Sequence, residues 1–310
     1  MKHVLVVGQL LPFLQAQMVP DNMRAAVLHE ADGIPAGDWD GVIPVVTTAM
    51  RAPQMDRMRG LKVIANYGVG YDNVDVNAAH ARGIAVSNTP GVLTDATAEL
   101  TWALILAVAR RIGEGERLVR AGQWTGWTPT QLLGTDLKGR TIGIVGAGRI
   151  GRAVGARAAA FSMNVVYWSR TRQPEWEAQC GGRFVALADL LAACDVVTIH
   201  LSRSAETERL IDAGALAIMK DGAILINTAR GAIVDEHALL AELQARRLSA
   251  GLDVYVNEPQ VPTELSALDN VVVLPHLGSA TRQARQAMWD LAWQNLLRGI
   301  AGEPLLTPVR

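Results

Sequence analysis

Three polar residues in the second half of the chain have side chains suited to moving a proton and holding a carboxylate. Arg230 stands in ILINTARGAIVDEHAL, Glu258 in GLDVYVNEP and His276 in VVVLPHLGSATRQA. Each follows a short β-branched, apolar run that reads as a buried strand, so all three fall at strand carboxyl ends, where open α/β sheets bind their ligands. An arginine there can grip a carboxylate by a forked pair and polarise the adjacent carbonyl. A protonated histidine can give its proton to the carbonyl oxygen as hydride reaches the carbon, and a glutamate paired with the imidazolium favours its charged form. The set suits reduction of a 2-keto acid. Taken singly, each residue has an ordinary explanation (a surface ion pair, a loop cap, a structural histidine), and the shared placement gives the three their weight.

A source of hydride is implied upstream. In GRTIGIVGAGRIGRAVGARAAAF, Gly146, Gly148 and Gly151 lie between a buried strand and an Ala-rich helix, with Arg149 and Ile150 opening the helix. The first glycine permits the tight turn, the second lets backbone approach a pyrophosphate, and the third permits close helix–strand packing. Unpaired N–H groups and the helix dipole then face the phosphates. The next strand ends in NVVYWSRTRQ. Where an NAD enzyme usually carries an acid for the adenosine ribose, this chain has Ser169, Arg170, Thr171 and Arg172, with no acid beside them. A hydroxyl and two guanidiniums suit a 2′-phosphate, so NADP(H) is expected to be preferred, with NAD(H) possible. The alternative is a solvated surface turn.

These residues need a scaffold of alternating strands and helices. Strand candidates in the first part are HVLVV, RAAVLHE, GVIPVVT (weakened by its proline), LKVIAN and IAVSN. A helix is expected over residues 98–120, then a Gly/Trp-rich link. A second strand series follows: TIGIV, NVVYW, VVTIH, AILIN, LSAGLDV and NVVVL. From about Ser279 the chain reads as helical, with a short polar tail. The whole is α/β, with parallel βαβ units in two layers.

At 310 residues the chain can hold two cores, and its formal charge of −1 argues against general nucleic-acid binding. Cys180 and Cys194 are the only cysteines, which gives no disulfide framework and no metal-ligand pattern and suits a reduced, cytoplasmic setting. The opening MKHVLVVGQLLPFLQ reads as a first strand rather than a signal peptide, and the run WALILAVA is too short to span a bilayer.

Taken together, GAGRIG, NTARG, LDVYVNEP and LPHLGSAT resemble the D-2-hydroxyacid dehydrogenase family. NYGVGYDNVDV and VSNTPGVLTDATAELTWAL are similar to its substrate loop and hinge helix. The link WTGWTPTQLLGTDLKGRTIGI and the SRTR turn are most similar to the glyoxylate/hydroxypyruvate reductase branch. The resemblance implies two doubly wound parallel-sheet domains with a cleft between them. A flavodoxin-like substrate domain would be formed by residues 1–97 plus 280–310, and a Rossmann cofactor domain by residues 98–279. It implies that Arg230, Glu258 and His276 are the catalytic set, with hinges near residues 90–98 and 276–282. Backbone N–H groups at Val69 and Gly70 would hold the substrate carboxylate. Asp253 would face the nicotinamide, and Thr97, Ser202, Thr228 and Ser279 would line the cofactor cleft, Ser279 on the substrate side. It also implies a D-2-hydroxy acid product and a homodimer through the cofactor domain, with Trp127 near the partner's active site; for Trp124, core or interface packing serves equally well.

Two positions depart from the family pattern: Tyr67 ahead of the GVG loop, and Ser202–Arg203 where relatives carry Pro and a small or apolar residue. Either Tyr67 narrows the pocket or it is harmless, and Arg203 either adds to anion binding or faces water. Glu258 argues against a formate dehydrogenase, which has glutamine as the histidine's partner. The remaining alternatives are a dehydrogenase for a larger D-2-hydroxy acid and a nucleotide-sensing, corepressor-like binding protein.

Overall fold

The computed structural model describes residues 1–28 and 33–310, which divide into two compact units, Met1–Leu93 with Ala280–Arg310, and Thr94–Ser279.

The first unit is built on five parallel strands: β1 (Lys2–Val7), β2 (Met23–Leu28), β3 (Gly41–Ile43), β4 (Val63–Ala65) and β5 (Ala85–Ser87). Their order is β2-β1-β3-β4-β5, with Lys2 opposite Met23 and Val4 opposite Gly41. This is the flavodoxin-like order, which reverses between β1 and β3. Val4, Leu5, Val6 and Val7 are all buried, as a parallel strand covered on both faces requires. Pro44 lies just past β3, so its missing N–H costs no ladder bond. The strand candidate RAAVLHE is strand as far as Leu28, and its last residues, His29 and Glu30, lie outside the described residues.

The long C-terminal helix Arg282–Ala301 belongs to this unit, capped by Thr281, whose Oγ1 accepts from the Ala284 N–H at 3.1 Å. It lies so close to the sheet that a Cβ on Gly41 would stand 2.5 Å from Leu296, and one on Gly299 2.5 Å from Val63. The expected polar tail is instead an edge piece of the sheet: the Val309 N–H donates to Val86 at 2.8 Å, and Val309 is buried.

The second unit has seven parallel strands: β6 (Thr141–Val145), β7 (Asn164–Trp168), β8 (Arg183–Phe184), β9 (Val196–Ile199), β10 (Ile224–Asn227), β11 (Ser249–Leu252) and β12 (Val271–Val273). The order β8-β7-β6-β9-β10-β11-β12 is the doubly wound Rossmann order, with its switch between β6 and β9. The edge strand β8 has no counterpart in the sequence reading; it is two exposed residues long and carries no periodicity.

The helix expected over 98–120 is two helices. The first, α1 (Thr94–Ala109), buries Ala98, Trp102, Leu104, Ile105 and Val108. Arg111 then adopts φ +51°, and α2 (Ile112–Arg120) follows with no buried residue. The apolar pattern that holds α1 in the core does not continue past Ala109. Instead Arg111 forks onto Glu114, each bond 2.9 Å, at the start of α2. No helix among the described residues is long and apolar enough to cross a membrane.

Candidate active site

Within the second unit, Arg230, Glu258 and His276 follow β10, β11 and β12 at their carboxyl ends. His276 Nδ1 lies 2.7 Å from Glu258 Oε2, while Glu258 Oε1 accepts the Tyr255 N–H at 3.0 Å. Burial by itself raises the Glu258 carboxyl. The bond and charge of His276, the Tyr255 N–H and the charge of Arg230 outweigh it and leave the group below its usual value. Glu258 is therefore an ionised partner for the imidazole, and the ring's Nε2 is left for other chemistry.

The turn carrying Arg230 is shaped by Asn227, the last residue of β10. Its Oδ1 accepts the Ala229 N–H at 3.0 Å and its Nδ2 donates to the Arg230 carbonyl at 2.9 Å. Gly231 has no alternative, because a Cβ there would overlap the Tyr255 and Val256 backbone. In sequence the one signal for Asn227 is an Asx turn ending a strand.

His276 takes up φ +55°, an uncommon state for a residue with a side chain. Asp253 holds it there. The Asp253 carbonyl accepts the His276 N–H at 3.0 Å, and its two carboxylate oxygens accept those of Leu277 and Gly278 at 2.6 and 2.8 Å. Burial pushes the Asp253 carboxyl above its usual value against the pull of those N–H groups and of His276. Both oxygens of this expected cofactor contact are thus engaged with the histidine loop. Thr97 joins the same loop, its Oγ1 donating to Gly278 at 2.9 Å, and Thr101 links the Thr97 carbonyl to Thr228 Oγ1, at 2.8 and 3.0 Å. Thr97, Thr228 and Asp253, far apart in sequence, thereby share one buried network with the loop that ends at Ser279.

The glycine turn joins β6 to a helix, α3 (Arg149–Arg157), with Gly148 as N-cap. Gly146 has φ +104°, and a Cβ there would stand 2.8 Å from the His200 carbonyl oxygen. A Cβ on Gly151 would overlap the Gly146 carbonyl. Gly148 differs, since its Cβ would meet nothing within 4 Å. The protein's own packing accounts for the outer two glycines but not for the middle one. An exposed N-cap with space around it, ahead of the α3 N–H groups that include those of Arg149 and Ile150, fits a dinucleotide pyrophosphate.

The basic turn after β7 is less free than the sequence suggests. Glu177, in the next helix, forks onto Arg172, accepting from Nε at 2.8 Å and Nη2 at 2.7 Å, and also accepts from the Tyr167 hydroxyl at 2.6 Å. The hydrogen bonds of Arg172 and Tyr167 and the Arg172 charge prevail over burial and hold the Glu177 carboxyl at about 2. An acid therefore does stand beside the turn, five residues on from Arg172 in sequence and folded back to it by a helix. Ser169 Oγ donates to the Thr171 carbonyl at 2.6 Å, and Arg170 is exposed. The charge of Arg170 helps lower Glu206, after the Ser204 hydroxyl and the Glu206 N–H. Ser202 is exposed, and Arg203 pairs with Glu208 at 3.3 Å on the surface.

In the first unit the turn at Val69 and Gly70 follows β4, and neither N–H finds an acceptor among the described residues. Tyr67 is buried, its hydroxyl donating to the Arg285 carbonyl at 2.8 Å and its ring 6.2 Å from that of Phe13. It is a core residue of this unit. Around and after α2, the side chains of Ile112, Val119, Trp124, Trp127 and Leu133 are exposed, Trp127 by 80%.

The chain has relatives among known proteins. Residues 102–278 match the family described as D-isomer specific 2-hydroxyacid dehydrogenase, NAD binding domain. A glyoxylate reductase from Thermococcus litoralis is 48% identical over 85% of this chain and 81% of its own. One from Thermococcus kodakarensis is 41% identical over 98% and 95%. Among solved structures, an NADPH-dependent glyoxylate/hydroxypyruvate reductase from Sinorhizobium meliloti, in complex with NADP and malonate, is 35% identical with a TM-score of 0.88, covering 99% of this chain and 96% of that one. The chain belongs to the D-isomer specific 2-hydroxyacid dehydrogenases. It is accordingly an oxidoreductase with a Rossmann domain for a nicotinamide cofactor.

Proposed function

We propose that the protein reduces glyoxylate, and hydroxypyruvate with it, to the D-2-hydroxy acid, using NADPH in preference to NADH. The observation that carries this reading is the 2.7 Å pair of Glu258 and His276 in the same parallel-sheet unit as Arg230 and the glycine turn. The relatives named glyoxylate reductase support the choice of substrate.

The glycine turn and the start of α3 would hold the dinucleotide, which when bound would supply the hydride for the keto carbon. Arg230 holds the substrate carboxylate by its fork and draws electron density onto the keto oxygen. In the first unit, the N–H groups of Val69 and Gly70 are the proposed donors to a substrate carboxylate. His276 delivers its Nε2 proton to the oxygen, with Nδ1 kept on the ionised Glu258, and recovers a proton from water afterwards. Asp253, Thr97 and Thr228 hold the histidine loop and would border a bound nicotinamide, with Ser279 on the substrate side and Ser202 toward the cofactor. For the 2′-phosphate, Arg170 is the principal cation. Ser169 and Thr171 shape the turn, and Arg172 contributes only by sharing its fork with Glu177. The named cofactor of the Sinorhizobium meliloti neighbour supports this choice. The exposed apolar side chains from Ile112 to Leu133 support a homodimer, with Trp127 near the partner's active site. Two unpaired cysteines suit a cytoplasmic setting.

Steady-state turnover of glyoxylate and hydroxypyruvate with each dinucleotide tests the reading, together with Arg230→Ala and His276→Ala. His276→Ala is expected to lose about 10²–10⁴-fold in kcat, and Arg230→Ala more than about tenfold in kcat/KM. Near-full rate in either variant would remove that residue from its role.

A further inference from the structure

The carbonyls of the turn ahead of Tyr71 are each tied down. Gly68 O accepts the Thr89 N–H at 2.9 Å, Val69 O accepts Asn88 Nδ2 at 2.8 Å, and Gly70 O accepts Asn66 Nδ2 at 2.9 Å. In a trans peptide the C=O and the following N–H point in opposite directions. The bond to Gly68 O therefore aims the Val69 N–H, and the bond to Val69 O aims the Gly70 N–H. The first of these comes from backbone. The second rests on one side-chain amide, at a peptide whose following residue, glycine, accepts either sign of φ and so resists a flip only weakly.

We propose that Asn88 is a positioning residue for the substrate carboxylate, acting by locking the Val69–Gly70 peptide so that its N–H faces the ligand. This rests on the reading that the Val69 and Gly70 N–H groups take that carboxylate. Asn88 is itself secured by the C-terminal segment. Its carbonyl accepts the Thr307 hydroxyl at 2.6 Å. Asn295, fully buried on the long C-terminal helix, donates from Nδ2 to Thr307 Oγ1 at 2.9 Å. The Asn295 Oδ1 accepts the Leu306 and Thr307 N–H groups at 2.9 and 3.2 Å. The chain of bonds thus runs from the last helix through the tail to the turn. On the far side, Asn73 Nδ2 donates to Asn66 Oδ1 at 3.0 Å, which turns the Asn66 amide so that its nitrogen faces Gly70 O. Asn66 fixes the peptide after the turn; Asn88 fixes the one within it.

The test uses Asn88→Ala and Asn88→Asp in the full-length enzyme, with oxalate as a carboxylate probe that cannot be reduced. Losing one aimed N–H should raise the glyoxylate KM and the oxalate inhibition constant together, by about ten- to a hundredfold. Dinucleotide affinity, read by fluorescence titration, should stay within about twofold of the parent. Asn88→Asp keeps the shape but cannot donate, and should match or exceed the alanine variant; Asn88→Gln, which keeps a donor, should recover part of the loss. A purely structural Asn88 would instead lower Tm and kcat with KM and oxalate inhibition unmoved, which overturns the proposal. Gly70→Pro and Val69→Pro, each deleting one N–H, separate the two readings. If folded Gly70→Pro or Val69→Pro enzyme still binds oxalate like the parent, the carboxylate reading itself fails; if they lose oxalate while Asn88→Ala keeps it, only the positioning role fails.

Discussion

The middle glycine of the dinucleotide turn allows structure and ligand binding to be separated by one methyl group. Gly148 sits at φ −74° with nothing within 4 Å of the Cβ position, so Gly148→Ala is free of both strain and collision. Alanine is a poorer N-cap than glycine, costing on the order of 0.5–1 kcal/mol. It also restricts the unfolded chain, which returns about 0.4–1 kcal/mol. The two nearly cancel, and Tm should stay within about 2–4 °C of the parent. Gly146→Ala is the contrast. There φ is +104° and the methyl would lie 2.8 Å from the His200 oxygen and from Leu201 Cδ2, contacts that must give way by several tenths of an ångström. Overpacking and left-handed strain together should cost about 2–4 kcal/mol and lower Tm visibly. Binding should show a different ranking. A methyl at position 148 occupies the space a pyrophosphate needs, so dinucleotide affinity by titration calorimetry should fall at least about tenfold in a fully folded protein. If Gly148→Ala binds NADPH and NADH as the parent does, the phosphates lie elsewhere, and the inference drawn from the empty space around Gly148 is wrong.

Other outcomes follow from the same geometry. Arg170→Ala should lower kcat/KM with NADPH about tenfold or more and leave NADH within about threefold, while Arg172→Ala, already committed to Glu177, should change the ratio less; the two ratios measured side by side decide it. Gly231→Ala should displace the Arg230 turn by about an ångström and cost on the order of a hundredfold in kcat/KM, with dinucleotide affinity retained. His200 is half-buried, and the loss of water around its ring pushes the imidazole down to about 3. The unfolded chain binds a proton near pH 6.5 and the folded chain does not, so stability is present above that pH and is lost as pH falls from about 6.5 toward 3. At pH 5 this residue should account for about 2 kcal/mol of lost stability, an amount absent from His200→Gln when unfolding is compared at pH 7 and pH 5.

The strands were legible because parallel strands buried on both faces are written as unbroken apolar runs; the ladder of β6, β7, β9 and β10 needs no other signal. The break between α1 and α2 was not, because it depends on where core contact ends at Ala109, and a helix-forming composition continues past that point. In the site, Arg230, Glu258 and His276 stood out because each is a polar residue just past an apolar strand. Their supports did not. Asn227 and Asn88 look like ordinary turn residues until their amides are seen on the Arg230 and Val69 carbonyls. Glu177 was not legible beside the turn for a related reason: it lies five residues after Arg172 in sequence, inside the next helix, and the first turn of that helix returns it to the cation.

The return of residues 280–310 to the first unit has a consequence for synthesis. The first 93 residues leave the ribosome without the helix that covers β3 and β4 and without the tail that pairs beside β5. The second unit is continuous and can close as soon as its own strands are made. At ordinary elongation rates the first unit waits on the order of 10–40 s for its last helix, with one face of a hydrophobic parallel sheet uncovered. Expression of this enzyme should therefore be unusually sensitive to chaperone supply. A chain truncated before Arg282 should lose the first unit's cooperative unfolding, while the second unit keeps its own.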